Sequence, residues 1–350
     1  MLDKILRSAV EAGASDVHIH AGSPPLFRIN TEIKPSEFPA LAGEKCSAMV
    51  ESMMDHQRWT NFQTHRDADF SYEIAGVGRF RVNAHFQRQS VALSIRVITS
   101  KIRTLEELFL PEILKKLTGG THGLILVTGP AGSGKSTTLA AMIDEMNRRD
   151  SSHIVTLEDP IEYQFAGVKC AIEQREVGSD VPDFASGLRH VLRQDPDVIY
   201  VGEMRDLETT SAAITAAETG HLVLSTLHTP NAPQTIERII DVYPTAQQNQ
   251  VRSMLAHSLQ AVISQTLLPR SDEPGLIPAV EIMICNQPIK TCIRENRIFE
   301  TPSIIETSRA LGMQSLDTSI QQLLRNGYIS RETAVAYAPH PEKIERAMVA

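Results

Sequence analysis

One stretch of the sequence constrains the fold more than any other: an apolar run leads into a glycine-rich turn and then into a helical segment. The apolar run covers residues 123–129 and the turn covers 129–134. Lys135 and Ser136 follow the turn, and residues 137–146 have a helical pattern. A strand, a loop of this composition and a helix in this order form a P-loop, whose backbone N–H groups point toward phosphate oxygens. The chain is therefore expected to contain a parallel α/β sheet.

The motif assigns a nucleotide contact to each of its residues. Lys135 is expected to reach the β- and γ-phosphates from an exposed loop where it supports no core, and the Ser136 hydroxyl to coordinate Mg²⁺. ATP and Mg²⁺ are thus the predicted cofactors. The predicted nucleotide-binding residues are Gly129, Pro130, Ala131, Gly132, Ser133, Gly134, Lys135, Ser136 and Thr137.

Hydrolysis also needs a carboxylate near the γ-phosphate to position or deprotonate water. Residues 197–201 form a buried-strand pattern that leads to Glu203, where a Walker B strand delivers its acid. Gly202 stands where the usual aspartate precedes that glutamate. The alternative interpretation is that Glu203 only forms a surface ion pair with Arg205.

A second group of carboxylates follows the strand-like residues 153–157. Glu158, Asp159 and Glu162 surround a proline, and such a group is suited to Mg²⁺ or its waters. A solvated acidic loop is the alternative. Glu158 joins Ser136 as a predicted metal contact.

Histidines occur at two further strands. His221 and His228 bracket the apolar residues 222–227, and taken alone each is typical of a hydrogen-bonded strand end. Asp16, His18 and His20 share one strand face, which a solvated surface explains better than a metal site.

The pattern of the rest of the chain indicates two domains, in line with roughly 150 residues per domain. A helix that ends near Gly13 precedes alternating residues at 78–86 and 91–97, which are typical of antiparallel strands with one buried face. We expect a small α+β domain over 1–99, a hinge at 100–104 and an ATPase domain over 105–350. Beyond Thr245 the pattern is helical, with one stripe from Val251 to Ile263 and another near Gly327.

Charge and cysteine content exclude several classes of protein. The 34 basic and 42 acidic residues give a net charge of −8, which provides no global attraction for nucleic acid. The four cysteines are scattered without a C-x-x-C pair, as expected for reduced thiols in a cytosolic protein. No run of 18 apolar residues occurs, so no direct membrane insertion is expected.

The motifs together resemble one family. Residues 129–137, 156–162, 192–206 and 218–229 are similar to the Walker A, Asp box, Walker B and His box of the secretion ATPases, within which the chain most resembles the pilus-retraction branch. Four boxes in this order are highly specific, and the resemblance extends over nearly the whole chain.

The resemblance implies a PAS-like N-terminal domain joined to a RecA-like ATPase domain. It also implies a homo-hexamer that hydrolyses ATP to retract type IV pili in twitching motility, a cytoplasmic protein recruited to a platform protein of the inner membrane. The roles that it implies are Glu203 as catalytic acid/base, Glu158 and Glu162 near the metal and the attacking water, His221 and His228 in the His box, and Arg81 and Arg96 toward the γ-phosphate.

One segment departs from the family. Residues 288–295 keep the second half of a sequence needed for retraction and alter the first half, which leaves a retraction-accessory paralogue as an alternative. A nucleotide-gated assembly module with little turnover is a second alternative, and a nucleic-acid translocase is disfavoured by the acidic balance. The four-cysteine zinc module of the extension motors is missing.

Overall fold

The structure, a computed structural model, describes residues 1–29, 32–98 and 101–349, with side-chain surroundings up to residue 345. The chain divides into two compact units, Met1–Lys101 with Glu162–Gln164, and Ile102–Ile161 with Phe165–Ala350. Ser100, the first residue of the predicted hinge, lies outside the described residues. The hinge at 100–104 therefore stays a prediction.

The first unit has helices on one face of an antiparallel sheet. In its described part the helices are α1 (Leu2–Glu11), α2 (Gly43–Met53) and α3 (His56–His65). The strands are β1 (Asp16–Ile19), β2 (Leu26–Ile29), β3 (Glu32–Pro35), β4 (Asp67–Ile74), β5 (Gly78–Gln87) and β6 (Ser90–Ile98), in the order β3-β2-β1-β6-β5-β4. Alternation of apolar and polar residues predicted β5 and β6, and the structure confirms both.

The two faces of this sheet differ in chemistry. Phe80, Val82 and Ala84 of β5 pack with Ile95 of β6 and Ile5 of α1 in one buried cluster. The intervening residues of β5 and β6 point to the opposite face because side chains alternate along a strand. Arg81 of β5 and Arg96 of β6, to which the resemblance assigns a role, lie on that opposite face.

The second unit is built on a larger, mainly parallel sheet. Its strands are β7 (Gly123–Thr128), β8 (His153–Glu158), β9 (Ala171–Glu176), β10 (Val198–Val201), β11 (Leu222–Leu227), β12 (Leu259–Pro269) and β13 (Leu276–Ile284). Its helices are α4 (Ile113–Leu117), α5 (Lys135–Arg149), α6 (Phe184–Val191), α7 (Leu207–Glu218), α8 (Ala232–Asp241), α9 (Gln248–Ser258), α10 (Gln287–Arg294), α11 (Thr301–Thr307), α12 (Leu316–Arg325), α13 (Arg331–Tyr337) and α14 (Pro341–Val349).

The strand order is β13-β12-β7-β11-β10-β8-β9, in which only β12 and β13 pair antiparallel. Every residue of β7, β10 and β11 is buried, as expected for parallel strands covered by helices on both faces. The mixed α/β class with a parallel sheet is therefore confirmed. Among the described residues, none of the helices has the length and apolar composition needed to cross a bilayer.

The prediction of an entirely helical region beyond Thr245 was wrong. The stripe from Val251 to Ile263 spans two elements, since α9 ends at Ser258 and Leu259 begins β12. No glycine or proline separates the apolar residues of α9 from those of β12, so the two periods merge in the sequence. The second stripe is confirmed as α12, and the four cysteines are free and buried.

Candidate functional site

The P-loop lies between β7 and α5, and its backbone shape depends on two glycines. Gly129 has a φ of 141° and Gly134, which precedes the first residue of α5, has a φ of 85°. A Cβ at Gly129 would lie 2.3 Å from the backbone oxygen of Gln265 and 2.6 Å from Oγ of Ser133. Only glycine therefore fits at this turn, which keeps the loop compact against β12.

Lys135 is not on an exposed loop, so this prediction was wrong. It is the first residue of α5 and is 8% exposed, with its Nζ 2.9 Å from the backbone oxygens of both Gly129 and Pro130. The helix start places the side chain above the loop, where carbonyl groups accept its hydrogen bonds. The ammonium group is thus already located at the cradle.

The carboxyl ends of β10 and its two neighbours define the adjacent part of the site. Gly202 follows β10, donates its N–H to Leu157 (2.8 Å) and accepts a hydrogen bond from Thr226 Oγ1 (2.6 Å). A Cβ at Gly202 would lie 3.3 Å from the Leu157 oxygen. The glycine that replaces the usual Walker B aspartate is held tightly between two strands, and this fixes the direction of the next residue, Glu203.

Glu203 is a half-buried carboxylate with two partners. Its Oε2 lies 2.7 Å from a terminal nitrogen of Arg205, and its Oε1 lies 3.2 Å from Nε2 of His228. Burial raises the pKa of Glu203, but the hydrogen bonds from Arg205 and His228 and the positive charge of Arg205 outweigh it, so the pKa falls below its ordinary value. The surface pair with Arg205 that was the alternative interpretation does form, together with the contact to His228.

His228 follows β11 and connects the P-loop with Glu203. Its Nδ1 lies 3.4 Å from Nζ of Lys135, while its Nε2 faces Glu203. A neutral ring that donates from Nε2 and accepts at Nδ1 satisfies both contacts, an assignment that follows from the hydrogen-bond network. The structure therefore brings Lys135, His228 and Glu203 together in one chain of polar contacts.

The predicted acidic group separates into different environments. Glu158 is buried and accepts hydrogen bonds from Thr156 Oγ1 (2.7 Å) and Gln174 Nε2 (3.1 Å), whereas Glu162 is exposed and belongs to the first unit. Asp159 interacts electrostatically with Arg205, which also contacts Glu203. In the described ranges, no three His, Cys, Asp or Glu side chains are grouped so as to hold a metal ion.

The two histidines of β11 lie at opposite ends of the strand. His221 precedes Leu222, and its Nδ1 lies 3.0 Å from the backbone oxygen of Ala216 at the end of α7. His228 lies seven positions further along the strand, which corresponds to about 23 Å. The structure therefore does not bring His221 to the carboxyl ends of the strands, where Glu203 and His228 lie.

Arg81 and Arg96 face each other in the first unit. They are directly opposite in the β5–β6 register, both are exposed, and Nε of Arg96 donates to Oδ1 of Asp16 at 2.9 Å. Burial raises the pKa of Asp16, but hydrogen bonds from Ser15 and Arg96 outweigh it and lower the pKa. Asp16 is thus an ionised partner of Arg96, and the hypothetical metal trio with His18 and His20 is not formed.

The loop itself has the properties of a phosphate cradle. Oγ of Ser133 is buried and has no hydrogen-bond partner among the described residues, and Ser136 is half-buried in the first turn of α5. A helix N-terminus, a nearby ammonium group and an unpartnered hydroxyl are the groups that bind phosphate oxygens. The residues present therefore fit a nucleotide phosphate, with the Ser136 hydroxyl available to a Mg²⁺ ion.

Three polar residues of this region were missed in the sequence. Thr156 and Gln174 hold Glu158, and Gln265 on β12 contacts the P-loop from the side. Their only signal is that each is a polar residue within a strand. Such a residue is ambiguous until the neighbouring strand is known.

Comparison with known proteins gives concordant matches over nearly the whole chain. The family described as Type II/IV secretion system protein matches residues 1–328. A Pseudomonas aeruginosa protein named type IV pilus retractation ATPase PilT is 46% identical over 97% of this chain and 99% of its own length. A second protein of that organism, named type IV pilus ATPase PilU, is 41% identical over 96% of this chain and 88% of its own length.

A solved structure is similar to the same extent. The crystal structure of the pilus retraction motor PilT with bound ADP has a TM-score of 0.91 and 45% identity, and covers 98% of both chains. The resemblance that the four boxes indicated is confirmed by these matches. The chain belongs to the Type II/IV secretion system protein family.

Proposed function

We propose that this chain is the hexameric motor that hydrolyses ATP to retract type IV pili. The observation that carries the proposal is the contact chain from Lys135 through His228 to Glu203, which joins a phosphate cradle to an ionised carboxylate. Family membership and relatives named as pilus ATPases support ATP hydrolysis as the reaction. The first unit is assigned as PAS-like and the second as RecA-like.

The residues of the second unit divide the work of hydrolysis. The P-loop N–H groups and Lys135 hold the phosphates, and Mg²⁺ at the Ser136 hydroxyl would neutralise their charge. Glu203, whose pKa is lowered, is ionised at neutral pH and accepts a hydrogen bond from the attacking water. A carboxylate of low basicity orients the water more effectively than it removes a proton.

His228 keeps this carboxylate in place. A contact to the γ-phosphate draws Lys135 away from the loop carbonyls, so the Lys135–His228 contact changes with the state of the nucleotide. Glu158 is assigned to the water shell near the metal, where Thr156 and Gln174 hold it. Glu162, Arg81 and Arg96 are assigned to the γ-phosphate side, as the resemblance implies.

Comparison of the wild type with Glu203→Gln tests the proposal. We expect the variant to retain ATP binding and to lose turnover by at least about 100-fold, because an amide orients the water poorly. Particle mass should be measured in the same samples with and without ATP, and a hexamer is expected. Wild-type turnover no faster than that of the variant would leave only a nucleotide-gated assembly module.

The retraction-accessory paralogue is supported by one specific observation. In α10 the altered half of the family segment includes Pro288, Lys290 and Thr291, while Ile289 and Ile293 are buried against the rest of the unit. The alteration thus changes the less buried face of the helix. Expression of this chain in a strain that lacks every pilus-retraction ATPase should restore twitching if it is the motor, and should restore it only together with a second ATPase if it is the accessory protein.

A further inference from the structure

A buried amide on the strand beside the P-loop has no role in the function proposed above. Gln265 lies on β12, is 3% exposed, and follows Ser264, which pairs with the last residue of β7. Because β12 continues after β7 has ended, it passes alongside the loop. The side chain of Gln265 therefore lies next to the turn that holds the phosphates.

Both ends of this amide are used. Its Nε2 donates to the backbone oxygen of Ser133 at 2.6 Å, and its Oε1 accepts from Oγ1 of Thr138 at 2.7 Å. These two partners fix which end of the amide is nitrogen and which is oxygen. The amide thus ties the last part of the loop to the second turn of α5.

The bond to the Ser133 oxygen also determines the direction of the next N–H group. In a trans peptide the C=O and the following N–H point in opposite directions. Because the Ser133 oxygen is turned toward Gln265, the Gly134 N–H is turned away from β12. This is the direction in which P-loop N–H groups point toward phosphate.

The glycine positions of the loop support the same arrangement. A Cβ at Gly134 would lie 2.8 Å from Nε2 of Gln265, and one at Gly129 would lie 2.3 Å from its backbone oxygen. The Gln265 backbone therefore leaves no room for a side chain at 129, and a side chain at 134 would displace the Gln265 amide from its present position.

We propose that Gln265 is a positioning residue, which holds the Ser133–Gly134 peptide in the orientation that binds nucleotide phosphate. The inference rests on the proposed binding of nucleotide at residues 129–137. Gln265 itself need not touch the ligand. Because Gln265 holds the loop in this orientation before nucleotide binds, the loop does not have to reorient on binding, and the free-energy cost of binding is lower.

Gln265→Glu is the most informative variant because it keeps the shape and exchanges the donor for an acceptor. A carboxylate repels the Ser133 oxygen and favours a flipped peptide, which turns a carbonyl toward the phosphates. We expect the Kd for ADP to rise about 10- to 100-fold, the worth of one hydrogen bond to a charged group. Protonation restores a donor, so ADP affinity should recover as pH falls from 8 toward 6, since burial raises a carboxyl pKa.

The measurement is ADP titration of the full-length protein with Mg²⁺ over this pH range, together with melting temperature. Ser264→Ala is the matched control, because Ser264 precedes Gln265 on β12. The variant removes the buried 2.9 Å hydrogen bond between Thr128 Oγ1 of β7 and Ser264 Oγ. It should lower the melting temperature and change the Kd less than about threefold. Gln265→Met, which removes the donor without adding charge, should raise the Kd about tenfold and serves if Gln265→Glu does not fold.

The outcomes separate this inference from the proposed function. Wild-type protein that does not bind ADP would overturn the nucleotide site itself. Wild-type binding with an unchanged Kd in Gln265→Met, or a loss in Gln265→Glu that is independent of pH, would overturn the positioning role alone.

Discussion

Positive charge is presented in opposite ways in the two units of this protein. In the second unit, Lys135 is buried and held by two carbonyl groups within a loop. In the first unit, Arg81 and Arg96 are exposed on the polar face of an antiparallel sheet, and Arg96 donates a hydrogen bond of 2.9 Å to Asp16. A cation fixed by backbone groups suits a permanent phosphate site, whereas exposed arginines suit a contact that forms and breaks.

The largest effect is expected from the fixed cation. Lys135→Ala should lower ATP turnover by about 1000-fold, because it removes charge from a preorganised phosphate site. The fold should be retained, since Nζ contacts loop carbonyls rather than core side chains. Steady-state hydrolysis and circular dichroism check both parts, with Lys116→Ala, which removes an exposed lysine of the same unit, as the control. If Lys135→Ala kept wild-type turnover, Lys135 would not be the fixed phosphate-binding cation that distinguishes the second unit from the first.

The next effect concerns the contact that joins the cation to the carboxylate. His228→Asn should lower kcat by up to about 100-fold through misplacement of Glu203, with a smaller change in ADP affinity. His221→Asn tests the other end of the same strand, where the ring contacts Ala216 of α7 and Thr219, which follows that helix. An equal loss in the two variants would contradict the separation of these histidines along β11.

A smaller and more selective effect is expected from the exposed arginines. Arg81→Ala or Arg96→Ala should lower turnover about tenfold while ADP affinity changes less than about twofold, because ADP has no γ-phosphate. Asp16→Asn is the matched variant, since it releases Arg96 without removing its charge. If turnover and ADP affinity fall together in the arginine variants, the loss reflects destabilisation and not a role toward the γ-phosphate.

The smallest effect should be visible only in the pH profile. Arg205 lowers the pKa of Glu203, so Arg205→Ala should raise that pKa. On acidification, Glu203 is then protonated at a higher pH, so the acid limb of the kcat–pH profile moves to higher pH. Turnover at pH 8 should stay within about twofold of the wild type. An unchanged acid limb would show that the exposed ion pair does not control this carboxylate.

Parts of the fold follow directly from local sequence. The strand, loop and helix at residues 123–149 and the strands β5 and β6 were predictable because each has a single clear period, and glycines mark the start of β5 and the turn after β7. The junction of α9 and β12 was not, because no glycine or proline separates the apolar stripe of the helix from that of the strand at Ser258 and Leu259. Period alone cannot place a boundary where one apolar stripe leads into the next without a turn residue.

The sequence by itself determined the P-loop, the four boxes of the family and the position of Glu203 directly after a buried strand. These depend on residues adjacent in the chain, whose backbone conformation and spacing follow from local chemistry. Only the tertiary structure decided that Lys135 is buried, that His228 and not His221 reaches Glu203, and that Gln265 supports the loop. The contacts of His228 and Gln265 join segments that are distant in sequence, so the order of strands in the sheet had to be known first. Lys135 bonds to carbonyl groups five and six residues away, but its burial depends on how the whole loop packs in the second unit.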